Sequence, residues 1–220
     1  MVGEWQSVFP MLRRFRTGFL LRRVDCFLIG LDLCNEYHDK DRYHVSLTVV
    51  PLYDDLMLKK MLPIISENLK SDTRLRLTDS IGYSLHDYYF ESCSRQAVAQ
   101  FGKFMQPRVK MSDIINAARN SFAYRVGQRS DLLTLQLAVA TYLDDTSYRD
   151  YILEQIRTER PAPDNYLQLS NSESLTRIIH ENIEHSPAIN NLPQGHIVMD
   201  FDPTKKPTLW QRLTGLLFED

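Results

Sequence analysis

Glycine is scarce in this chain, with eight residues among 220, and no two stand at the spacing of GxGxxG or of GxxxxGK followed by Ser or Thr. A phosphate-cradling loop needs glycine, because the backbone must approach the anion closely and take dihedrals that other residues resist. The nucleotide-loop fingerprints are therefore missing, and so is the GxSxG nucleophile elbow, although a triad assembled in space would leave no such local mark. Cysteine is equally sparse. Cys26, Cys34 and Cys93 are odd in number and contain no CxxC pair, which argues against a disulfide framework or a zinc knuckle and points to buried, reduced thiols. Neither sign of charge dominates: 26 Lys and Arg face 28 Asp and Glu, a balance that disfavours a dedicated nucleic-acid binder. Long apolar runs are lacking too. Phe19–Leu33 is broken by Arg22, Arg23 and Asp25 and falls short of the roughly 20 clean residues of a membrane span. Glu4 and Trp5, with no small-residue cleavage site after them, do not suit a secretory leader. The expectation is a cytoplasmic chain without membrane contact and without a cofactor.

What is present reads as an α+β chain: an N-terminal antiparallel sheet, hairpin or meander, packed with helices, and a C-terminal half that is mainly helical. Trp5, Phe9, Leu12 and Phe15 recur at helical spacing, with Gly18 as the stop. Phe19–Cys34 and Arg42–Tyr53 are rich in strand-forming residues. Tyr43, Val45, Leu47 and Val49 alternate as in a strand with one buried face. The first run is long enough for two strands with a turn near Arg23-Val24-Asp25. A helix is expected from Asp54 to about Leu69, kinked or broken by Pro63, then a strand-like stretch over Thr73–Leu85 and a helix over Ser94–Gln106. Further helices are expected from Ser112, over Leu132–Leu143, over Thr146–Arg160, and from Ser172 to about His185. Ile197-Val198-Met199 suggests a late strand, and Leu209, Trp210, Leu213, Leu216 and Leu217 a final helix. One domain spanning 1–220 is expected, with a sheet-containing half over 1–106, a helical half over 107–220, and a linker over 161–169 marked by Pro161-Ala162-Pro163-Asp164.

Three arrangements invite a chemical reading. His180-Glu181-Asn182-Ile183-Glu184-His185 differs from the HExxH zinc helix by one residue. At about 100° per residue its two histidines lie about 140° apart around a helix, against about 40° in a true i, i+4 pair, so a solvated helix face is the simpler account. Asp200 and Asp202 could face one cation, but Pro203 beside them favours turn chemistry. Arg13, Arg14, Arg16, Arg22 and Arg23 form the one dense basic cluster, near Trp5, Phe15 and Phe19. A solvated helix face is again the simpler account, and a protein partner comes ahead of nucleic acid.

Tyrosines and histidines concentrate in the sheet half, among them Tyr37, Tyr43, Tyr83, Tyr88, Tyr89, His38, His44 and His86, a composition that suits interfaces. The polar segment Asn35, Glu36, Tyr37, His38, Asp39, Lys40, Asp41 would make a recognition tip on a hairpin. The leading expectation is thus a non-enzymatic protein-binding or accessory protein, such as a bacterial inhibitor, a toxin-immunity protein or a complex subunit. It would contact another protein through Asn35, Glu36, Tyr37, His38, Asp39 and Asp41, with Arg13, Arg14 and Arg16 as a second candidate patch. The alternatives are a hydrolase- or nuclease-like enzyme with dispersed residues (His86, Asp87, His180, Glu184, Asp200, Asp202) and a nucleic-acid-associated component using the N-terminal arginines.

Overall fold

A computed structural model of the chain describes residues 1–36, 39–70, 80–121, 129–158 and 166–200. The first helix, α1 (Val2–Val8), is shorter than its apolar spacing suggests, because Pro10 follows directly and cannot donate to a further helical turn. Trp5, Phe9 and Leu12 are nevertheless all buried. The arginine cluster is not helical. Arg13, Arg14 and Arg16 lie on strand β1 (Arg13–Arg16), which turns back at Gly18, φ +82°, into β2 (Phe19–Val24). Gly18 marks a turn between strands here and not a helix end.

The first apolar run divides as its length implies, into β2 and β3 (Phe27–Asp32), joined at Asp25-Cys26. Asp25 takes φ 48°, a conformation that Asp tolerates better than most residues. The second run divides as well, and its parts enter different sheets. β4 (Asn35–Glu36), β5 (Asp39–His44) and β8 (Ser80–Gly82) form a small antiparallel sheet. β6 (Ser46–Pro51) instead pairs with β3, and β7 (Ile65–Asn68) pairs with β6. The Asn35–Asp41 segment is therefore largely strand; Tyr37 and His38 lie outside the described residues. Every residue of β6 is buried, so it is covered on both faces and not on the one that its alternation suggests.

The helix expected up to Leu69 is only α2 (Asp55–Lys60). Asp54 caps it by accepting from Met57 N at 2.9 Å, Met61 ends it in the left-handed conformation, and Pro63 precludes a restart. A 3-10 turn over Tyr83–Leu85 leads into α3 (His86–Phe101), which begins eight residues before the expected start. A second 3-10 turn, Gly102–Met105, then gives way to β9 (Arg108–Lys110). The later helices are α4 (Met111–Asn120), α5 (Arg129–Tyr142), α6 (Thr146–Thr158), α7 (Tyr166–Leu169), α8 (Ser172–Glu184) and α9 (Pro187–Asn190). Asn171 caps α8 through Ser174 N. The stretch expected as linker is helical over Tyr166–Leu169, and its 161–165 part lies outside the described residues, as do Thr73–Asp79, Asp202 and the C-terminal segment bearing Trp210.

The late strand, β10 (Gln194–Val198), has a place that its short pattern does not reveal. It lies between β2 and β9, parallel to both, so the main sheet runs β7-β6-β3-β2-β10-β9. β1 and β10 share one edge of β2, at residues 19–21 and 23–24. The architecture is α+β, an N-terminal curled sheet of antiparallel strands with helices and a C-terminal half that is mostly helical. Among the described residues no helix is long and apolar enough to cross a membrane.

The cysteines are not uniformly internal. Cys26 and Cys93 are buried, but Cys34 is exposed, and its thiol donates to Asp32 Oδ1. Partial burial, then the Asp32 bond and charge, push the Cys34 thiol up to about 12. Since the thiolate is the reactive form, an aromatic disulfide reagent at pH 8 is expected to modify one thiol per native molecule, more slowly than a free thiol. Asp32→Asn should speed that reaction by about threefold for each unit of pKa recovered, the roughly tenfold gain in thiolate being partly offset by its lower nucleophilicity. Equal rates in the two proteins would remove Asp32 as the cause.

Candidate functional site

One corner of the molecule gathers groups that are remote in sequence. It is built from α1, the small sheet and the start of α3. Tyr43, on β5, is fully buried, and His86, the first residue of α3, is 6% exposed. The Tyr43 hydroxyl lies 2.7 Å from His86 Nδ1 and accepts a long 3.4 Å bond from Trp5 Nε1. His86 Nε2 lies 2.9 Å from Glu4 Oε2. A carboxylate only accepts, so Nε2 carries a hydrogen. In the neutral ring Nδ1 is then the acceptor, and the tyrosine hydroxyl donates to it. The chain of bonds runs Trp5 to Tyr43 to His86 to Glu4 and ends at the surface.

The electrostatics follow from this placement. The Met1 amine, also bonded to Glu4, and then His86 hold the Glu4 carboxyl below the usual carboxylate range. Burial, the leading cause, pushes the Tyr43 phenol up to about 12, so it stays a neutral hydroxyl at physiological pH. Asp87, next to His86, brings a second carboxylate; a ligand atom from each of Glu4, His86 and Asp87 lies within 4.8 Å of the others. Asp87 has no hydrogen bond or ion pair among the described residues.

Around this polar core the surface is aromatic. Tyr83 packs its ring on Tyr43 with centroids 5.3 Å apart, and its hydroxyl donates to Asn35 Oδ1 on β4. His86 also packs against Phe90, which in turn meets Trp5 edge-on at 5.2 Å. Outward, Tyr83 is 39% exposed, Leu85 48% and Tyr88 79%. Exposed single apolar residues are ordinary, but here three fall within six positions where the 3-10 turn enters α3.

Of the residues singled out in the sequence, the structure ties Asn35 to this corner directly, through Tyr83, and brings β5, with Asp39 and Asp41, into the same small sheet. Arg13 and Arg16 bond elsewhere: Arg13 to the carbonyls of Pro10 and Leu12, Arg16 to that of Lys59, while Arg14 is exposed. Arg22, from the same basic cluster, is buried. Of the dispersed acid–base set, His86 and Asp87 meet at this corner, and Asp202 lies outside the described residues. His180 and Glu184 are exposed on α8, and His185 Nδ1 bonds back to Glu181 O at 2.6 Å. Asp200 caps α4 by accepting from Ser112 N at 2.9 Å and from its hydroxyl. Glu4 and Trp5 were not singled out as site residues; only the helical spacing that buries Trp5 hinted at what α1 would pack against.

The fold and this corner define the class, an α+β protein with an aromatic, acid-rimmed surface site. Comparison with known proteins gave no matching family model, no matching curated protein and no matching solved structure.

Proposed function

We propose that this is a non-catalytic binding protein that engages another protein through the corner where the small sheet meets α3. The observation that carries this reading is the cluster of Tyr83, Leu85 and Tyr88 exposed beside the β4–β5 hairpin. Tyrosine offers large contact area at small entropic expense and is enriched where binding energy concentrates. The Tyr83 ring is braced from below by Tyr43, which itself packs on His86, and the Tyr88 ring meets Tyr89 edge-on at 4.8 Å, so less ordering is needed on association. Exposed acids lie on the neighbouring elements: Glu4, Asp87 and Glu91 on the helices and Asp41 on β5. The complement is a segment with Lys or Arg flanking an apolar anchor.

The test is retention on an array of peptides carrying Lys or Arg next to Leu or Phe. Tyr88→Ala is expected to weaken retention at least about tenfold, as truncation of a central tyrosine does, while the melting temperature stays nearly constant because the side chain is solvent-exposed. The double change Asp39→Lys with Asp41→Lys should weaken retention further if the hairpin takes part. Undiminished retention by both variants would defeat the proposal.

A further inference from the structure

Beyond partner binding, and independent of it, we infer that Glu4, His86 and Asp87 form a binding site for a divalent transition-metal ion of the zinc type. The donor set is one imidazole nitrogen and two carboxylates, a mixture that suits zinc better than magnesium or calcium, which prefer oxygen alone. The geometry is close to what an ion needs. Ligands about 2.0–2.2 Å from zinc in tetrahedral array lie roughly 3.4 Å from one another. His86 Nε2 and Glu4 Oε2 are 2.9 Å apart, and all three donors fall within 4.8 Å. Completing the set takes small rotations at the exposed Glu4 and Asp87 side chains and release of the Met1 amine from Glu4 Oε2; Asp87 has no competing partner among the described residues.

A second feature is independent of the acids. His86 is almost wholly buried, and its far nitrogen is fixed by the Tyr43 hydroxyl at 2.7 Å. That is the outer-sphere support which orients a ligating histidine. It leaves Nε2 aimed at Glu4 and the surface. When the ion takes the Nε2 lone pair, the ring hydrogen must sit on Nδ1, where it donates to Tyr43 Oη. In the metal-bound form the ring hydrogen thus sits on the nitrogen that faces Tyr43 and not on the one that faces Glu4. Three protein ligands leave a fourth position for water.

The test uses the full chain with zinc chloride, followed by calorimetry and by the 15N shifts of His86. The expected result is one equivalent of zinc bound, no competition from excess Mg2+ or Ca2+, and a change of His86 from the Nε2–H to the Nδ1–H form. Glu4→Gln and Asp87→Asn, both at exposed positions and close in shape to the native residues, should each weaken binding at least about tenfold without changing the fold. The absence of stoichiometric binding would overturn the inference. So would zinc affinity equal to that of the native chain in both variants, since the ion would then sit elsewhere, such as on the exposed histidines of α8.

Discussion

Arg22→Ala is expected to destabilise the protein by about 3–5 kcal/mol. Arg22 lies on β2 with 2% of its surface exposed, and among the described residues no carboxylate is bonded to it. Its partners are two carbonyls: Nη1 donates to Met105 O at 3.0 Å and Nη2 to Gln106 O at 2.8 Å. These oxygens close the 3-10 turn that continues α3, where unpaired acceptors and the helix dipole both favour a cation. Removing the guanidinium would strand both acceptors and leave a cavity. The native arrangement already carries a penalty, since burial lowers the Arg22 pKa and Nε has no partner among the described residues. Arg22→Met, which restores volume and removes the buried charge, should therefore lose about half as much or less. Urea titration of the two variants gives the comparison, and an Ala variant within about 1 kcal/mol of the native chain would refute the argument.

Gly195 on β10 supplies an internal check on Arg22. A Cβ at Gly195 would overlap Arg22 Nη2 and lie 2.7 Å from Cζ. The guanidinium is pinned by both carbonyls, so it cannot yield without losing them. Gly195→Ala is thus expected to lose about 2–3 kcal/mol in the native background and little once Arg22 is Ala, a coupling of about 1–3 kcal/mol. Strict additivity would mean that the two residues do not compete for the same space.

Gly30→Ala should be at least as damaging. Gly30 sits mid-strand in β3 between Leu21 of β2 and Thr48 of β6. An added Cβ would overlap the Leu20 carbonyl oxygen and fall 2.9 Å from both Leu20 C and Leu21 Cα. These are backbone atoms of the neighbouring strand, so no rotamer change relieves the overlap and the strands must part. Overpacking in a core typically costs about 1–3 kcal/mol; with backbone on the receiving side the loss should exceed about 3 kcal/mol, or roughly 6–12 °C in Tm for a chain of this length. Gly3→Ala in α1 is the control, because nothing lies within 4 Å of a Cβ there, and helix propensity favours Ala. A Gly30→Ala protein melting with the native one would show that β2 and β3 can separate freely.

Local chemistry made much of this fold legible. Asn171 before Ser172, the apolar stripe of Tyr148, Ile152 and Ile156, and the strand composition of Phe19–Leu33 each act over a few residues, and each element formed near its expected place. Errors arose where a breaker outweighed a period. Pro10 and Pro63 cut helices that the apolar spacing alone would have extended. Partnership was the harder matter. Tyr43 and Val45 share one alternating pattern with Leu47, yet the chain changes sheets between His44 and Ser46. The site lay further out of reach. His86-Asp87 and Tyr43 each drew notice, but Glu4 is 82 residues from the histidine to which it bonds, and nothing in local spacing encodes that meeting.

The position of β10 bears on the order in which the chain can mature on a ribosome. β2, β3 and β6 lie within the first 51 residues and can pair early, but the slot beside Arg23 and Val24 stays open until residues 194–198 emerge. Throughout that interval a nascent chain exposes part of a strand edge that other chains could pair with. Closing the slot joins segments about 170 residues apart, a slow type of contact. Translation stalled shortly before Gln194 should therefore yield protease-sensitive, chaperone-bound chains, and release past Val198 should convert them in a single late step.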